Sequence, residues 1–364
     1  MTRWAVVLAG GIGSRFWPLS TPARPKQLLP LVTNEPLLAD SVARLRPIVP
    51  AEQILILTNA VLVPAVADVL PDVPRENLIA EPRAGGTAAA LAWAAQEIAR
   101  RDEGGPDGVM MSVHADWSVA DAAGFRRALL HAAEVATERH MLVTIGVVPT
   151  RADPGFGYIQ PGDELEAGAW RAARFVEKPD RARAEQMRED GYLWNSGIFV
   201  WRVGDFLDDI RALTPEIAPA LHAHSNDLAG FFGSVTPISV DVGVLERSKR
   251  VAVLRGDFGW DDVGTWGALK RVRPTDHAGN ATRGHVHLVD ARDNVVHTDR
   301  TSVVLYGVSD LVVVVEHGLV LVTTVDRSSD LKTLMEALPR GLRDDPAGHA
   351  ATNGMTADGW RTRE

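Results

Sequence analysis

The stretch Trp4-Ala5-Val6-Val7-Leu8-Ala9-Gly10-Gly11-Ile12-Gly13-Ser14-Arg15 sets the architecture of the chain. A short apolar run passes straight into glycines, which reads as a buried strand ending in a tight βα turn. The run is too short, and too closely bounded by glycine, to be a signal peptide. Downstream the alternation repeats. Apolar runs predict strands over 4–9, 53–58, 108–113 and 141–147, and amphipathic or alanine-rich segments predict helices over 37–48, 61–70, 87–101 and 122–137. Strands separated by helices of that length make a mainly parallel sheet flanked by helices, with ligands beyond the C-terminal strand ends.

The pattern changes after Pro149. Residues 154–158 and 169–176 suggest an antiparallel insertion, and helix and strand candidates return over 181–189, 196–201, 203–213 and 250–255. From Gly279 the texture is short apolar strands separated by turn residues, over 286–289, 294–296, 302–305, 311–315 and 319–323, with no long helix between them. The expected organisation is a catalytic domain over 1–278, a small all-β module over 279–339 and a loosely ordered tail over 340–364.

Composition narrows the function. The chain has 364 residues, 46% of them hydrophobic and 23% charged, enough for a sizeable core and too apolar for general disorder. A formal charge of −9 argues against nucleic acid as a partner. The absence of cysteine removes disulfides, thiolate-held metals and thiol nucleophiles. No stretch has the length to span a membrane, and a cytoplasmic protein is expected. Lysine occurs at only five positions, Lys26, Lys178, Lys249, Lys270 and Lys332, in a chain that otherwise uses arginine. Lysine kept in such a background suggests sites where a compact ammonium is needed.

The glycine turn lets backbone N–H groups approach phosphate oxygens, but two familiar phosphate loops fail on spacing. No Gly-Lys-Ser/Thr closes the turn, and Phe16 stands where a dinucleotide fingerprint needs its third glycine. The residues just after the turn are more specific: Arg15-Phe16-Trp17-Pro18-Leu19-Ser20, then Arg24-Pro25-Lys26-Gln27. This combination resembles the signature of the sugar-1-phosphate nucleotidyltransferases. The Pro-Leu-Ser and Pro-Lys-Gln forms resemble the mannose-1-phosphate guanylyltransferase branch. The resemblance implies a Rossmann-like catalytic domain, and for the C-terminal module a short left-handed β-helix. It implies nucleotide binding by the backbone at Leu8, Ala9, Gly10, Gly11 and Gly13, with Arg15 and Lys26 as the catalytic cations on the triphosphate.

Further motifs extend the resemblance. Glu81-Pro82-Arg83-Ala84-Gly85-Gly86-Thr87-Ala88 is similar to a segment that helps hold the base, with Gly85 and Gly86 in place of the usual Arg and Asn. Glu81 and Thr87 match, and they are expected at the nucleotide. Thr87 also suits a helix N-terminus. Asp116, at the end of Ser112-Val113-His114-Ala115-Asp116, and Asp262, in Trp260-Asp261-Asp262-Val263-Gly264-Thr265-Trp266, match the family's metal-binding aspartates. Mg²⁺ held by two carboxylates, phosphates and water is the expected cofactor. Asp261 occupies the variable position of its motif. Phe175-Val176-Glu177-Lys178-Pro179, Asn195-Ser196-Gly197 and Gly155-Phe156-Gly157-Tyr158 resemble sugar-side motifs, which places Gly157, Glu177, Lys178 and Asn195 at the sugar phosphate.

The implied reaction joins GTP and mannose 1-phosphate into GDP-mannose with release of pyrophosphate. The attacking phosphate oxygen is already anionic at neutral pH, so the demands are alignment and charge neutralisation rather than a strong base. Another hexose or heptose 1-phosphate, a non-catalytic sugar-nucleotide-binding paralogue, and a dinucleotide-dependent oxidoreductase are the competing readings. The chain ends before the isomerase domain of the longer bifunctional relatives, so transferase activity alone is expected. The exposed strand edges of the β module would suit a homodimer.

Overall fold

The computed structural model describes residues 1–11, 14–344 and 346. The chain divides into two compact units. One comprises residues 1–10 and 38–260, the other residues 11–37 and everything from 261 on.

The first unit is built on a nine-stranded sheet. Its strands are β1 (Arg3–Leu8), β2 (Ile54–Asn59), β3 (Leu78–Glu81), β4 (Val109–His114), β5 (Leu142–Val147), β6 (Tyr158–Glu166), β7 (Ala169–Val176), β8 (Leu193–Arg202) and β9 (Val251–Gly256). Their spatial order is β3-β2-β1-β4-β8-β5-β9-β7-β6, with β6 also paired to β8. β1, β2, β3 and β4 run parallel, as do β5 and β9. β8 enters antiparallel to both β4 and β5. The hairpin β6–β7 is the expected antiparallel insertion.

Alternation along β1 explains its burial on both faces. Trp4, Val6 and Leu8 enter a cluster with the helices α3 (Gly86–Arg101) and α6 (Val203–Leu213), while Ala5 and Val7, equally buried, face the other way. Each fully buried Val or Leu in such a strand stabilises the unit by roughly 1.5–3 kcal/mol. α3 is alanine-rich because it packs on nearly all sides: Ala88, Ala89, Leu91, Ala92, Trp93, Ala95 and Ile98 are all buried. The helix α4 (Ala122–Arg139) is capped by Asp121, whose carboxylate accepts from Gly124 N at 2.9 Å. α1 (Leu37–Leu45), α2 (Val63–Val69) and α5 (Arg181–Glu189) complete the elements named here.

In the second unit, short strands stack in parallel. β10 (Ala281–Arg283), β12 (Val295–Thr298) and β14 (Leu311–Glu316) form one parallel series, closed by the antiparallel β15 (Leu319–Thr324). β11 (Val286–Val289) and β13 (Val303–Tyr306) form a second parallel pair. The module is mainly β, with a strand at β10 that carries no apolar run of its own. The expectation of an all-β module over 279–339 is corrected by the helix Leu331–Ala337: Leu331, Leu334, Met335 and Leu338 recur at helical spacing and pack on the core of this unit. A core of Phe16, Trp17, Leu29, Val263, Trp266, Val295, Val312 and Val314 ties residues of the 14–37 segment to the stack. Arg340–Asp344 is a short helix, and the rest of the 340–364 segment, apart from residue 346, lies outside the described residues. Among the described residues no helix is long and apolar enough to cross a membrane.

Candidate active site

The glycine turn leaves the sheet through a tightly specified path. Leu8 O accepts from Ala115 N at 3.0 Å, and Ala9 N donates to Leu57 O at 2.8 Å. Ala9 O accepts from Thr58 Oγ1 at 3.1 Å. The backbone groups of Leu8 and Ala9 are therefore occupied by the sheet, and their effect is to fix where Gly10 emerges. Among the described residues a Cβ on Gly10 would meet Glu81 Oε1 at 3.8 Å, and one on Gly11 would meet nothing within 4 Å. Neither glycine has a positive φ. Among the described residues, packing against both glycines is loose, which leaves their backbone open to close approach. Gly13 lies outside the described residues. Glu81 ends β3, and burial pushes its carboxyl up to about 7.

Four of the predicted residues meet in one cavity of the first unit. Gly157, Glu177, Lys178 and Asn195 line a space of about 530 Å³ together with Thr87, His114, Phe156 and Asp241. A Cβ at 157 would lie 2.8 Å from Glu177 Oε2, so a side chain there would push the Glu177 carboxylate out of its present place. Gly157 O accepts from Asn195 N at 2.8 Å. Lys178 holds a left-handed backbone, φ 44°, and its Nζ pairs with Glu177 Oε1 at 2.9 Å. Both side chains are more than half exposed, so the pair is weak and can be exchanged for a ligand's phosphate. Asn195 donates from Nδ2 to Asp241 Oδ1 at 2.7 Å and accepts from Gly197 N at 3.3 Å. Burial raises the Asp241 pKa above the usual carboxylate range; the Asn195 hydrogen bond opposes this and the Glu177 charge adds to it.

The sequence reading missed Asp241. It opens a π-helical turn, Asp241–Leu245, reached by a segment that folds back onto the start of α3. Val240 N donates to Thr87 Oγ1 at 2.9 Å, and Ala88 N donates to Ile238 O at 3.2 Å. The two unusual glycines make this possible. Gly86 has φ +81°, and a Cβ there would sit 2.3 Å from Ile238 O; a Cβ on Gly85 would sit 2.9 Å from the Phe232 ring. Thr87, expected at the nucleotide, stands in the wall of this cavity. The available signal for Asp241 was a lone carboxylate in an otherwise apolar run, Val240-Asp241-Val242-Gly243-Val244-Leu245.

Arg15 and Lys26 belong to the second unit. Arg15 is exposed in the turn Ser14–Phe16. Lys26 is 6% exposed, and its Nζ donates to Asp262 O at 2.6 Å. Gln27 Nε2 donates to Gly11 O at 2.9 Å. Buried donors from beyond residue 260 hold this segment in place. Trp266 Nε1 donates to Trp17 O at 3.1 Å, and Arg273 Nε donates to Leu31 O at 2.6 Å. Burial lowers the Arg273 pKa to about 9. Burial first, then the Arg273 charge, lowers that of His297 to about 3. His297 is therefore neutral, and its Nδ1 can accept from Arg273 Nη2 at 3.3 Å.

Asp116 follows β4 in the first unit, and Asp262 follows Trp260-Asp261 in the chain. Among the described residues no three His, Asp or Glu side chains group to hold a metal by themselves. Each aspartate offers hard oxygen donors, and a Cβ on Gly264 would lie 2.5 Å from Asp262 Oδ2, so the absence of a side chain at 264 gives that carboxylate its room. This chemistry fits a hard divalent cation that takes only one or two protein carboxylates.

The sequence pattern of the family described as nucleotidyl transferase matches residues 4–279. The mannose-1-phosphate guanylyltransferase of Salmonella typhimurium is 33% identical over 362 residues, 96% of this chain and 75% of that protein. The Escherichia coli K12 protein of the same name is 34% identical, over 95% of this chain and 75% of its own length. A crystal structure from Thermus thermophilus, named mannose-1-phosphate geranyltransferase, aligns with a TM-score of 0.86 at 35% identity, covering 93% of this chain and 99% of the other.

Proposed function

The chain belongs to the nucleotidyl transferase family, and on that basis we propose that it transfers the GMP unit of GTP to mannose 1-phosphate, giving GDP-mannose and pyrophosphate. The observation that carries the sugar side is the convergence of Gly157, Glu177, Lys178 and Asn195 on one cavity. These residues come from separate segments of the sequence, and the volume is in the range of small-molecule sites. The names of the relatives support the choice of GTP and mannose over another base or hexose.

In the reaction an oxygen of the sugar phosphate forms a bond to the α-phosphorus. The bond from that phosphorus to the bridging oxygen breaks, and its electron pair leaves on pyrophosphate. Lys178 holds the sugar phosphate in place of its exposed partner Glu177. Glu177, Asn195 and Asp241 accept from and donate to the sugar hydroxyls. Leu8 and Ala9 fix the exit of the glycine turn, and the amides of Gly10, Gly11 and Gly13 receive nucleotide phosphate. Thr87 secures the segment carrying Asp241. Glu81, when ionised, accepts from the donor edge of guanine. Arg15 and Lys26 stabilise the charge that moves toward pyrophosphate. Asp116 and Asp262 are the proposed carboxylate ligands of a divalent cation, with Mg²⁺ the expected ion. When bound, the cation neutralises phosphate charge.

Catalysis is assigned to residues 1–278, in keeping with the span of the family match. The stacked parallel strands support reading 279–339 as a short left-handed β-helix, followed by the tail over 340–364. The exposed Val304, Tyr306, Val320 and Val322 of that module support a homodimer contact there. A cytoplasmic location agrees with this substrate set. Pyrophosphate release from GTP, mannose 1-phosphate and Mg²⁺, compared with GTP alone, tests the reading: release that needs the sugar phosphate is expected, and release without it would mean hydrolysis instead.

A further inference from the structure

Val263 is buried, branched at Cβ, and held at φ 47°. Few residues are less suited to the left-handed region, and such a backbone persists only where its surroundings impose it. Two neighbouring side chains impose it here. Asp261 Oδ1 accepts from Val263 N at 2.9 Å, closing a tight turn over the intervening Asp262. The same carboxylate is gripped by a fork from Arg271, with Nε to Oδ2 at 2.6 Å and Nη2 to Oδ1 at 3.0 Å. Asp261 is only 7% exposed while the Arg271 side chain is partly open to solvent, so it is the two-point geometry of this charge-assisted fork that fixes the carboxylate in one orientation. The peptide in the middle of the turn carries Asp262, whose carbonyl receives the Lys26 ammonium at 2.6 Å. On the far side, Thr265 Oγ1 accepts from Ala268 N at 3.3 Å, and the Trp266 ring packs against Phe16 with centroids 5.2 Å apart.

We propose that Asp261 and Arg271 are positioning residues for nucleotidyl transfer: they hold Val263 in its left-handed conformation and thereby aim the Asp262 peptide at Lys26. This rests on the reading that Lys26 and Asp262 serve the reaction. Asp261 touches no reacting atom in this scheme. Its work is to make a strained turn the stable one, so that the ammonium and the Asp262 carboxylate are placed before substrate arrives.

The test compares Asp261→Ala, which removes the acceptor for Val263 N, with Asp261→Asn, which keeps an oxygen there. Two quantities are read in folded protein: kcat with both KM values, and acylation of the Lys26 amine by acetic anhydride, scored by mass spectrometry against the exposed Lys332. Asp261→Ala should lower kcat by roughly ten- to a hundredfold with both KM values changed less than about threefold. Lys26 acylation should rise several-fold. Asp261→Asn should lose less than Asp261→Ala in both, because its Oδ1 still accepts from Val263 N while its NH2 group cannot accept from Arg271 Nε. Should the alanine variant not fold, Asp261→Glu reads the same point, since it keeps the Arg271 pair but displaces the carboxylate from Val263 N. An equal loss of kcat in Ala and Asn variants would mean that charge, not turn geometry, matters, and would overturn the proposal. So would unchanged Lys26 acylation in a folded Ala variant. If wild type releases no pyrophosphate while Lys26 acylation still responds, the functional reading fails and the catalytic role of the turn fails with it.

Discussion

Asn195 gives its side-chain amide to Asp241, Nδ2 to Oδ1 at 2.7 Å, across 46 residues of sequence. The bond orients an amide whose oxygen is already taken by Gly197 N. One N–H remains on Asn195 to serve the cavity, and its direction is set by Asp241. Asp241→Ala should therefore raise the KM for mannose 1-phosphate by roughly tenfold or more, the worth of a hydrogen bond to a charged group. Initial-rate kinetics with each substrate varied in turn should find the KM for GTP changed far less.

Lys178 tests the phosphate end of the same cavity. Its pairing with Glu177 is exposed and contributes little to folding. Lys178→Ala should leave the thermal unfolding midpoint near wild type. It should raise the sugar-phosphate KM by about ten- to a hundredfold, the loss of one charged phosphate contact at 1.5–3 kcal/mol. An unchanged KM removes Lys178 from the phosphate site.

The Glu81 carboxyl, pushed up to about 7 by burial, makes GTP use pH-dependent. If the ionised form accepts from guanine, kcat/KM for GTP should rise by roughly tenfold between pH 6 and pH 8, following the ionised fraction of a group with that pKa. Glu81→Gln should flatten this rise. Folding is linked in the opposite direction. An acid whose folded pKa is raised contributes stability that is fully present below its unfolded pKa and is lost as pH rises through about 7. The wild-type midpoint should fall relative to Glu81→Gln over that interval, as read by calorimetry.

Gly11 and Gly86 should respond in opposite ways. Among the described residues a Cβ on Gly11 meets nothing within 4 Å, so Gly11→Ala should leave stability nearly unchanged while lowering kcat/KM for GTP. A Cβ on Gly86 would strike Ile238 O at 2.3 Å from a backbone at φ +81°. Gly86→Ala should destabilise the protein by roughly 1–3 kcal/mol, measurable by urea unfolding, and weaken sugar-phosphate binding through the displaced Asp241.

These cases also mark where the sequence was legible. The strand-turn-helix rhythm placed β1, β2, β4 and β5 because each is an apolar run bounded by turn residues, a local signal, whereas the four-residue β3 is too short to give one. The insertion of β8 between β4 and β5, antiparallel to both, has no local signature, since pairing partners are chosen across the sheet. Gly157, Glu177, Lys178 and Asn195, which the fold brings to one cavity, could be singled out because their motifs are compact. Asp241 was not, because its importance comes from a fold-back that Thr87, Gly85 and Gly86 permit from more than 150 residues away. Asp261 read as the variable position of its motif, yet its carboxylate carries the Val263 turn.

The most direct test of the whole account is a matrix of initial rates. Each of GTP, ATP, UTP and dTTP is paired with the 1-phosphates of mannose, glucose and fucose, with Mg²⁺ present and pyrophosphate and sugar nucleotide both quantified. The account predicts the highest kcat/KM for GTP with mannose 1-phosphate, with GDP-mannose and pyrophosphate formed in equal amounts. A higher kcat/KM for any other pair, or no pyrophosphate from any pair by a folded protein, would contradict it.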